Sequence, residues 1–524
     1  MDKKRIVVLT GSFNPVTKAH LSLLQRAMES VQAEKGLFVT TSDVSLKRKT
    51  IAKAKSRTPF RLSAELRKEM LTALSKEDHR LAYGGMEDDC PVGATARLLK
   101  RLTEEYPRYE IYYICGADKL SSLPKWEGID RILEQVFVLI FHRDDVNVEN
   151  VLTKNPFWIA HRSRVKVERL QGEEAEISST EVRRRFMAGE EYRSLVAPST
   201  YDILSRLTPA DFPPLSQQEI VEATIRYDGR FGPATARQMI YQDNTKRFLA
   251  WDTALLGDKK SRLSAKLYKE SFRVTPPKRF HTKTDCVNED CVQVAKRLLD
   301  QGLRPAILNL ASSVHPGGGY HKGSNAQEES LCYVSTLSQA LYRFCDPTRK
   351  CVRDSGVDFV ESGYPLDRNF GGIYAPNVCF FRENEAGFYR LRANPFTCAV
   401  ISVASLANRR ERCPDDFEVR YFREDGTLTE EGREIQKNKI RTLFRIAIEN
   451  GHDSLVLGAF GCGAYHLLPE EVSALFAEVL KEEEFHGAFR ALVFAILEGP
   501  SKRKPTGREG RFAPFYDRFA KKDL

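Results

Sequence analysis

Three short strings hold residues suited to chemistry on phosphates and sugars. Gly11-Ser12-Phe13-Asn14-Pro15-Val16-Thr17-Lys18-Ala19-His20 closes an apolar run. A glycine at a strand end lets backbone approach a phosphate, and the amides opening a following helix favour an anion. His20 would place an imidazole on that same anion. On spacing alone, such a turn serves structure as readily as chemistry. Further on, Gly317-Gly318-Gly319 is followed, after seven intervening residues, by Gln327-Glu328-Glu329. Glycines let a loop wrap a bulky polar ligand closely, and adjacent carboxylates let one act as a general acid while the other orients it or the substrate. Alone, the glycines also describe a flexible loop, and a Glu-Glu pair is a common way to open a helix. The third string, Leu457-Gly458-Ala459-Phe460-Gly461-Cys462-Gly463-Ala464-Tyr465, is a glycine-rich turn after a strand-like run.

The elements that must position these strings are legible in the hydrophobic pattern. Residues 5–10 read as a strand, and Leu23, Leu24, Ala27 and Val31 recur at helical spacing over 20–31. Strand, glycine turn and helix open a doubly wound nucleotide-binding fold. Strand-like runs recur at 110–115 and 137–141, with helical segments near 60–75, 93–105 and 180–188. The expected class is α/β with a mostly parallel sheet. Three prolines within 207–215 interrupt the pattern, a charged helical stretch follows over about 216–270, and 274–278 (VTPPK) interrupts again. A second α/β pattern has strand candidates at 305–310, 398–402, 455–457 and 491–496 and an amphipathic helix at 434–449. No internal repeat is found, and 501–511 is basic, contains Gly and Pro, and reads as mobile.

The first string closely resembles the (H/T)xxH signature of the nucleotidyltransferase superfamily, in the form seen in nicotinamide/nicotinate mononucleotide adenylyltransferases. Ile114-Cys115-Gly116-Ala117-Asp118, then Trp126, and Ile177-Ser178-Ser179-Thr180-Glu181-Val182-Arg183-Arg184 match further motifs in the same order. Ala19 stands where the wider superfamily has glycine. The resemblance covers about residues 1–207. It implies attack of the mononucleotide phosphate on the α-phosphorus of ATP, giving NAD or its nicotinate counterpart and pyrophosphate, with Mg²⁺ arriving on the ATP. It gives His20 and Thr17 to the ATP phosphates, with Lys47 as a cationic helper. Ser178, Ser179, Thr180 and Arg183 would hold the triphosphate. Gly11, Ser12 and Phe13 would line the mononucleotide site, Asp118 would contact ribose hydroxyls, and Trp126 would stack on the pyridine ring.

The second and third strings resemble the GGG-x(6–8)-QEE signature and the diphosphate loop of microbial-type poly(ADP-ribose) glycohydrolases, over about residues 230–500. By that resemblance Glu329 would protonate the departing ribose oxygen and then activate water, and Glu328 would position the ribose–ribose linkage. Asn309 would face the distal ribose, Gly317, Gly318, Gly319 and Gln327 would line the ADP-ribose site, and backbone from Gly461 through Cys462 and Gly463 to Ala464 would hold the diphosphate. Phe460 reads as core, and Tyr465 would flank the ligand. Cys462 tempts a nucleophile reading, but this scheme leaves no task for a thiolate. Arg237 and Thr245 receive no role. Together the resemblances imply a Rossmann-like nucleotidyltransferase domain at 1–207, a linker at 208–232, an α/β/α macrodomain with a helical accessory segment at 233–500, and a basic tail at 501–524.

Composition sets the outer bounds. The 524 residues are 42% apolar and 29% charged, as packed globular domains are, and allow about three units of roughly 150 residues. A net charge of +10 favours anionic partners without choosing among nucleotides, phosphates and nucleic acid. Eleven cysteines with no CxxC pair argue against a disulfide scaffold or a zinc finger, so no protein-held metal is expected. No apolar run is long enough for a membrane helix, and the opening MDKKR leaves no room for a secretory leader, so a cytoplasmic or nuclear protein with no membrane partner is expected. The expected partners are ATP, nicotinamide or nicotinate mononucleotide, NAD, and ADP-ribose or ADP-ribosylated macromolecules. Two alternatives stay open: a non-catalytic ADP-ribose reader fused to the adenylyltransferase, and a hydrolase that removes ADP-ribose from nucleic acid.

Overall fold

A computed structural model describes residues 4–47, 60–88, 94–120, 123–126, 128–142, 148–169, 177–227, 232–408, 420–498 and 510–523. The chain divides into two compact units, Met1–Gly229 and Arg230–Leu524.

The first unit is built on six strands: β1 (Lys4–Gly11), β2 (Lys35–Thr40), β3 (Leu81–Met86), β4 (Tyr109–Gly116), β5 (Val136–His142) and β6 (Val165–Arg169). Their order is β3-β2-β1-β4-β5-β6, and every pairing is parallel. Side chains alternate across β1: Val7 and Leu9 join one buried cluster with Leu24, Phe38 and Phe60, and Ile6 and Val8 join another with Leu98, Ile140 and Trp158. Both faces are therefore covered, which is why β1 reads as a continuous apolar run. The strand order reverses between β1 and β4, and in an open parallel sheet the crevice beyond the carboxyl ends at such a reversal is where ligands bind. Gly11 and Gly116 end those two strands. Of the span expected as a linker, Phe212 lies in the core of this unit, stacked on Phe60 at 4.4 Å, and Gln217–Tyr227 forms a helix, while 228–231 lie outside the described residues.

The second unit holds eight strands: β7 (Lys266–Tyr268), β8 (Lys283–Val287), β9 (Pro305–Leu310), β10 (Gly372–Arg382), β11 (Leu391–Val403), β12 (Ser454–Leu457), β13 (Ala491–Ala495) and β14 (Lys522–Asp523). The order is β14-β8-β13-β12-β9-β11-β10-β7, with a parallel centre from β8 to β11 and antiparallel edges. The helix Glu430–Glu449 buries Ile440, Leu443, Phe444 and Ala447 against Ala306, Leu308 and Ile401 of the sheet. The fold class is α/β throughout, a Rossmann-like sheet followed by a second mixed sheet layered with helices. Part of the expected tail is structured: Phe515 and Phe519 sit in this core, with Phe519 stacked on Phe494 at 4.4 Å.

Candidate active sites

In the first unit, the turn after β1 is held by its neighbours. Asn14 is buried; its Nδ2 donates to Phe60 O at 3.2 Å and its Oδ1 accepts from Leu62 N–H at 2.8 Å. Phe13 has φ 43° and lays its ring over Gly11, where a Cβ would meet ring carbons at 2.9 Å, so glycine is required there. The Phe13 ring is buried against Phe38 and meets His20 edge-on at 5.2 Å.

Thr17 caps the helix Lys18–Val31. Its backbone N–H donates to His20 Nδ1 at 3.1 Å, with Oγ1 2.7 Å from the same nitrogen. A nitrogen that accepts from an amide is unprotonated, so the hydroxyl donates as well and the ring proton resides on Nε2. Burial pushes the imidazole down to about 4, so the ring is neutral at pH 7 and acts as an Nε2–H donor.

The second element at this site is the helix Ser179–Ala188. Ser178 caps it, accepting from Glu181 N–H at 3.2 Å. Ser179 Oγ donates to Pro15 O at 2.8 Å, and Arg183 donates to Asn14 O at 2.7 Å and Thr180 Oγ1 at 2.9 Å. The turn and the opening of this helix are thus clipped together. Arg184 and Arg185 both bond Glu181, whereas among the described residues no carboxylate pairs with half-buried Arg183. An unpaired guanidinium beside two helix N-termini is a place for an anion. Trp126 lies just beyond β4, half-buried, its ring tilted at 6.4 Å from Tyr113. Asp118 falls in the short turn Ala117–Lys119 beyond β4, and Lys47 is exposed at the end of the helix Asp43–Lys47. Sequence reading missed Arg67. It is fully buried, with Nη1 donating to Ser12 O at 3.2 Å and Thr41 O at 2.8 Å and Nη2 bonding Asp43 at 2.5 Å. An arginine on a helix otherwise reads as a solvated charge, and no local signal marks it.

In the second unit, the glycine loop folds around two carboxylates. Glu328 Oε2 accepts from Ser312 N–H at 2.7 Å, and Oε1 accepts from Gly317 N–H at 3.1 Å and Asn309 Nδ2 at 3.3 Å. Glu329 Oε1 accepts from Gly319 N–H at 2.7 Å and Oε2 from Ala326 N–H at 3.1 Å. Gly318 has φ 55°, and a Cβ there would strike Glu329 Oε1, so both conformation and space demand glycine. Burial, reinforced by the neighbouring charge of Glu329, raises the Glu328 carboxyl to about 8 despite its hydrogen bonds. Glu328 thus retains its proton near neutral pH.

Asn309, Gln327 and Tyr465 bond to this pair or to the segment that holds it. Asn309, the penultimate residue of β9, is fully buried and donates also to Ser402 Oγ at 2.9 Å, while its Oδ1 has no partner among the described residues. Gln327 has both ends of its amide engaged by β9: Oε1 accepts from Leu310 N–H at 2.8 Å and Nε2 donates to Leu308 O at 2.7 Å. The Tyr465 hydroxyl accepts from Ser313 N–H at 3.1 Å, linking the 458–465 turn to the loop that follows β9. In that turn Gly461 has φ 80°, and a Cβ would strike Ser405 Oγ. Phe460 is fully buried, Gly463 and Ala464 are exposed, and burial raises the Cys462 thiol far from a thiolate. Arg237 proves to be a buttress: its Nε donates to Gly323 O at 2.8 Å and its Nη1 bonds Glu385 at 2.5 Å. Asn244 reinforces the same loop by donating to the Tyr320 hydroxyl at 3.0 Å, and Thr245 only bonds back to Tyr241 O at 2.9 Å in its own helix.

A family model described as cytidylyltransferase-like matches residues 8–185, and one described as microbial-type PARG, catalytic domain, matches residues 240–383. The two matches fall in different units of the chain, the first within Met1–Gly229 and the second within Arg230–Leu524. A probable nicotinate-nucleotide adenylyltransferase of Clostridium tetani is 22% identical over 204 residues, 39% of this chain and 97% of the relative. A probable nicotinate-nucleotide adenylyltransferase/Ap4A hydrolase of Mycoplasma pneumoniae is 25% identical over 148 residues, 28% of this chain and 40% of that protein. Among solved structures, poly(ADP-ribose) glycohydrolase of Thermomonospora curvata matches at 24% identity and TM-score 0.40, over 54% of this chain and all of that one. The Deinococcus radiodurans glycohydrolase in complex with ADP-ribose matches at 24% identity and TM-score 0.36, over 49% of this chain and 95% of that one. No helix among the described residues is long and apolar enough to cross a membrane.

Proposed function

We propose that the fusion carries two activities of nicotinamide-nucleotide chemistry. The PARG segment hydrolyses ADP-ribose glycosidic linkages. The cytidylyltransferase-like segment transfers adenylyl from ATP to a pyridine mononucleotide, and nicotinate mononucleotide is the acceptor to test first because the relatives are named for it. A phosphate oxygen of the mononucleotide attacks the α-phosphorus while the bond to the bridging oxygen breaks and pyrophosphate leaves. Such transfer needs positioning and charge more than covalent help. The observation that carries the reading is the convergence on one turn of the neutral His20 donor, the helix opening at Ser179 and Arg183, which pairs with no carboxylate among the described residues. His20 Nε2–H and the Arg183 guanidinium would hold phosphate oxygens, with Thr17 orienting His20. Phe13 would act by shaping the floor of the mononucleotide site beside Gly11 and Ser12, and Trp126 and Asp118 would meet pyridine and ribose. Mg²⁺ would supply charge neutralisation on the ATP phosphates; among the described residues no group of three His, Cys, Asp or Glu side chains is placed to cage an ion.

In the second unit Glu329 would protonate the leaving ribose oxygen as the glycosidic C–O bond breaks, then take a proton from the attacking water. Glu328, fixed by Ser312, Gly317 and Asn309, would orient the ribose. Gln327 would be a positioning residue, tying the helix to β9. The two assays are separate. Pyrophosphate release from ATP with nicotinate mononucleotide tests the first unit, and its absence with either mononucleotide overturns that assignment. Free ADP-ribose released from poly(ADP-ribose) by the native chain and not by Glu329→Gln supports the second. No release from either form shifts the second unit towards a reader.

A further inference from the structure

Resting on the ADP-ribose reading of the second site, we propose that Arg511 is a further ligand-binding residue there, supplying the positive charge for the diphosphate. Nothing in the motifs includes it. Its guanidinium reaches the 458–465 turn from the C-terminal segment, with Nη1 3.4 Å from where a Cβ on Gly463 would sit. The side chain is exposed, and among the described residues no carboxylate pairs with it. The buried arginines of this unit differ: Arg237 pairs with Glu385, Arg382 with Asp243 and Arg445 with Glu484. The carboxylate that meets this stretch is Glu498. It accepts from Phe512 N–H at 3.0 Å and lies where a side chain on Gly510 would have to go, so it is turned to backbone rather than to Arg511.

The segment is anchored firmly enough to aim the guanidinium. Phe515 and Phe519 lie 5.2 and 4.4 Å from the Phe494 ring, and Thr284 Oγ1 donates to Phe519 O at 2.9 Å. Electrostatics supplies the need. The site already contains two carboxylates, and backbone amides from the turn add dipoles but no net charge. A diphosphate carries negative charge into that surrounding, and a guanidinium fork matches phosphate oxygens. A charge-assisted contact at an exposed position corresponds to about a tenfold change in affinity.

The test is calorimetric titration of the full chain with ADP-ribose, comparing the native protein with Arg511→Gln and Arg511→Lys, alongside thermal unfolding without ligand. Arg511→Gln should bind about tenfold more weakly with an unchanged unfolding midpoint, and Arg511→Lys should recover part of the affinity. Affinity within about twofold of the native chain overturns the proposal, as does a lost affinity accompanied by a lowered midpoint, which makes Arg511 a part of the fold instead. If the native chain binds no ADP-ribose, the reading of the whole second site fails, and that outcome is distinct from native binding indifferent to Arg511.

Discussion

A neutral His20 changes what pH does to the first site. Its Nδ1 accepts from Thr17, so Nε2–H is a donor over the whole range above about 4. Pyrophosphate release should therefore show no limb near the free-histidine value of 6.5. His20→Ala should lower kcat/KM by about 10²- to 10³-fold, as loss of one preorganised donor does. The same lowered value has a stability consequence of fixed sign. The folded state binds this proton less readily than the unfolded chain, so its contribution is intact above pH 6.5 and is lost as pH falls towards about 4. His20→Gln should remove that component from the acid unfolding curve. Glu328 has the opposite dependence. Its proton is lost as pH rises through about 8, which adds a negative charge beside Glu329 and the reacting ribose, so ADP-ribose release should hold near neutrality and fall above that point. A pH–rate profile unchanged up to pH 10 would mean that the charge on Glu328 does not bear on the reaction.

Elements, rather than single residues, bring the first site together, and here the sequence was only partly legible. The helix predicted near 180–188 is observed at Ser179–Ala188, and the strand predicted at 305–310 is observed there, because periodicity and capping residues are local. The hairpin of β10 and β11 was read only at 398–402, since its aromatic and polar residues blur the alternation. Asn14, Arg67 and Arg237 act through partners 24 to 148 residues away, so no short window of sequence contains both ends of these contacts. The clip at Arg183 belongs to this scale. Arg183→Lys retains charge but cannot reach Asn14 O and Thr180 Oγ1 with one planar group. It should raise the KM for ATP about tenfold, which steady-state pyrophosphate release at varied ATP measures.

At the scale of the molecule, two units with separate cores imply two separable losses. Composition marked 501–524 as a tail, since its basic, Gly- and Pro-containing stretch at 501–511 outweighs the three phenylalanines that follow. The structure instead fixes residues 513–519 as a helix beneath β8 and β13 and pairs β14 with β8, so Lys522 and Asp523 add an edge strand to the second sheet. Phe519 is 1% exposed and stacked on Phe494, and a buried Phe→Ala change costs about 3–5 kcal/mol. That is a large share of a domain's typical stability of about 5–15 kcal/mol. Phe519→Ala should therefore lower the unfolding midpoint of the second unit and diminish ADP-ribose release on warming. Pyrophosphate release by the same variant should be unaltered, because no group of the first site depends on that core. Loss of both activities in parallel would mean that the units unfold as one cooperative body, and differential scanning calorimetry of the variant distinguishes the two cases by whether one transition moves or all do.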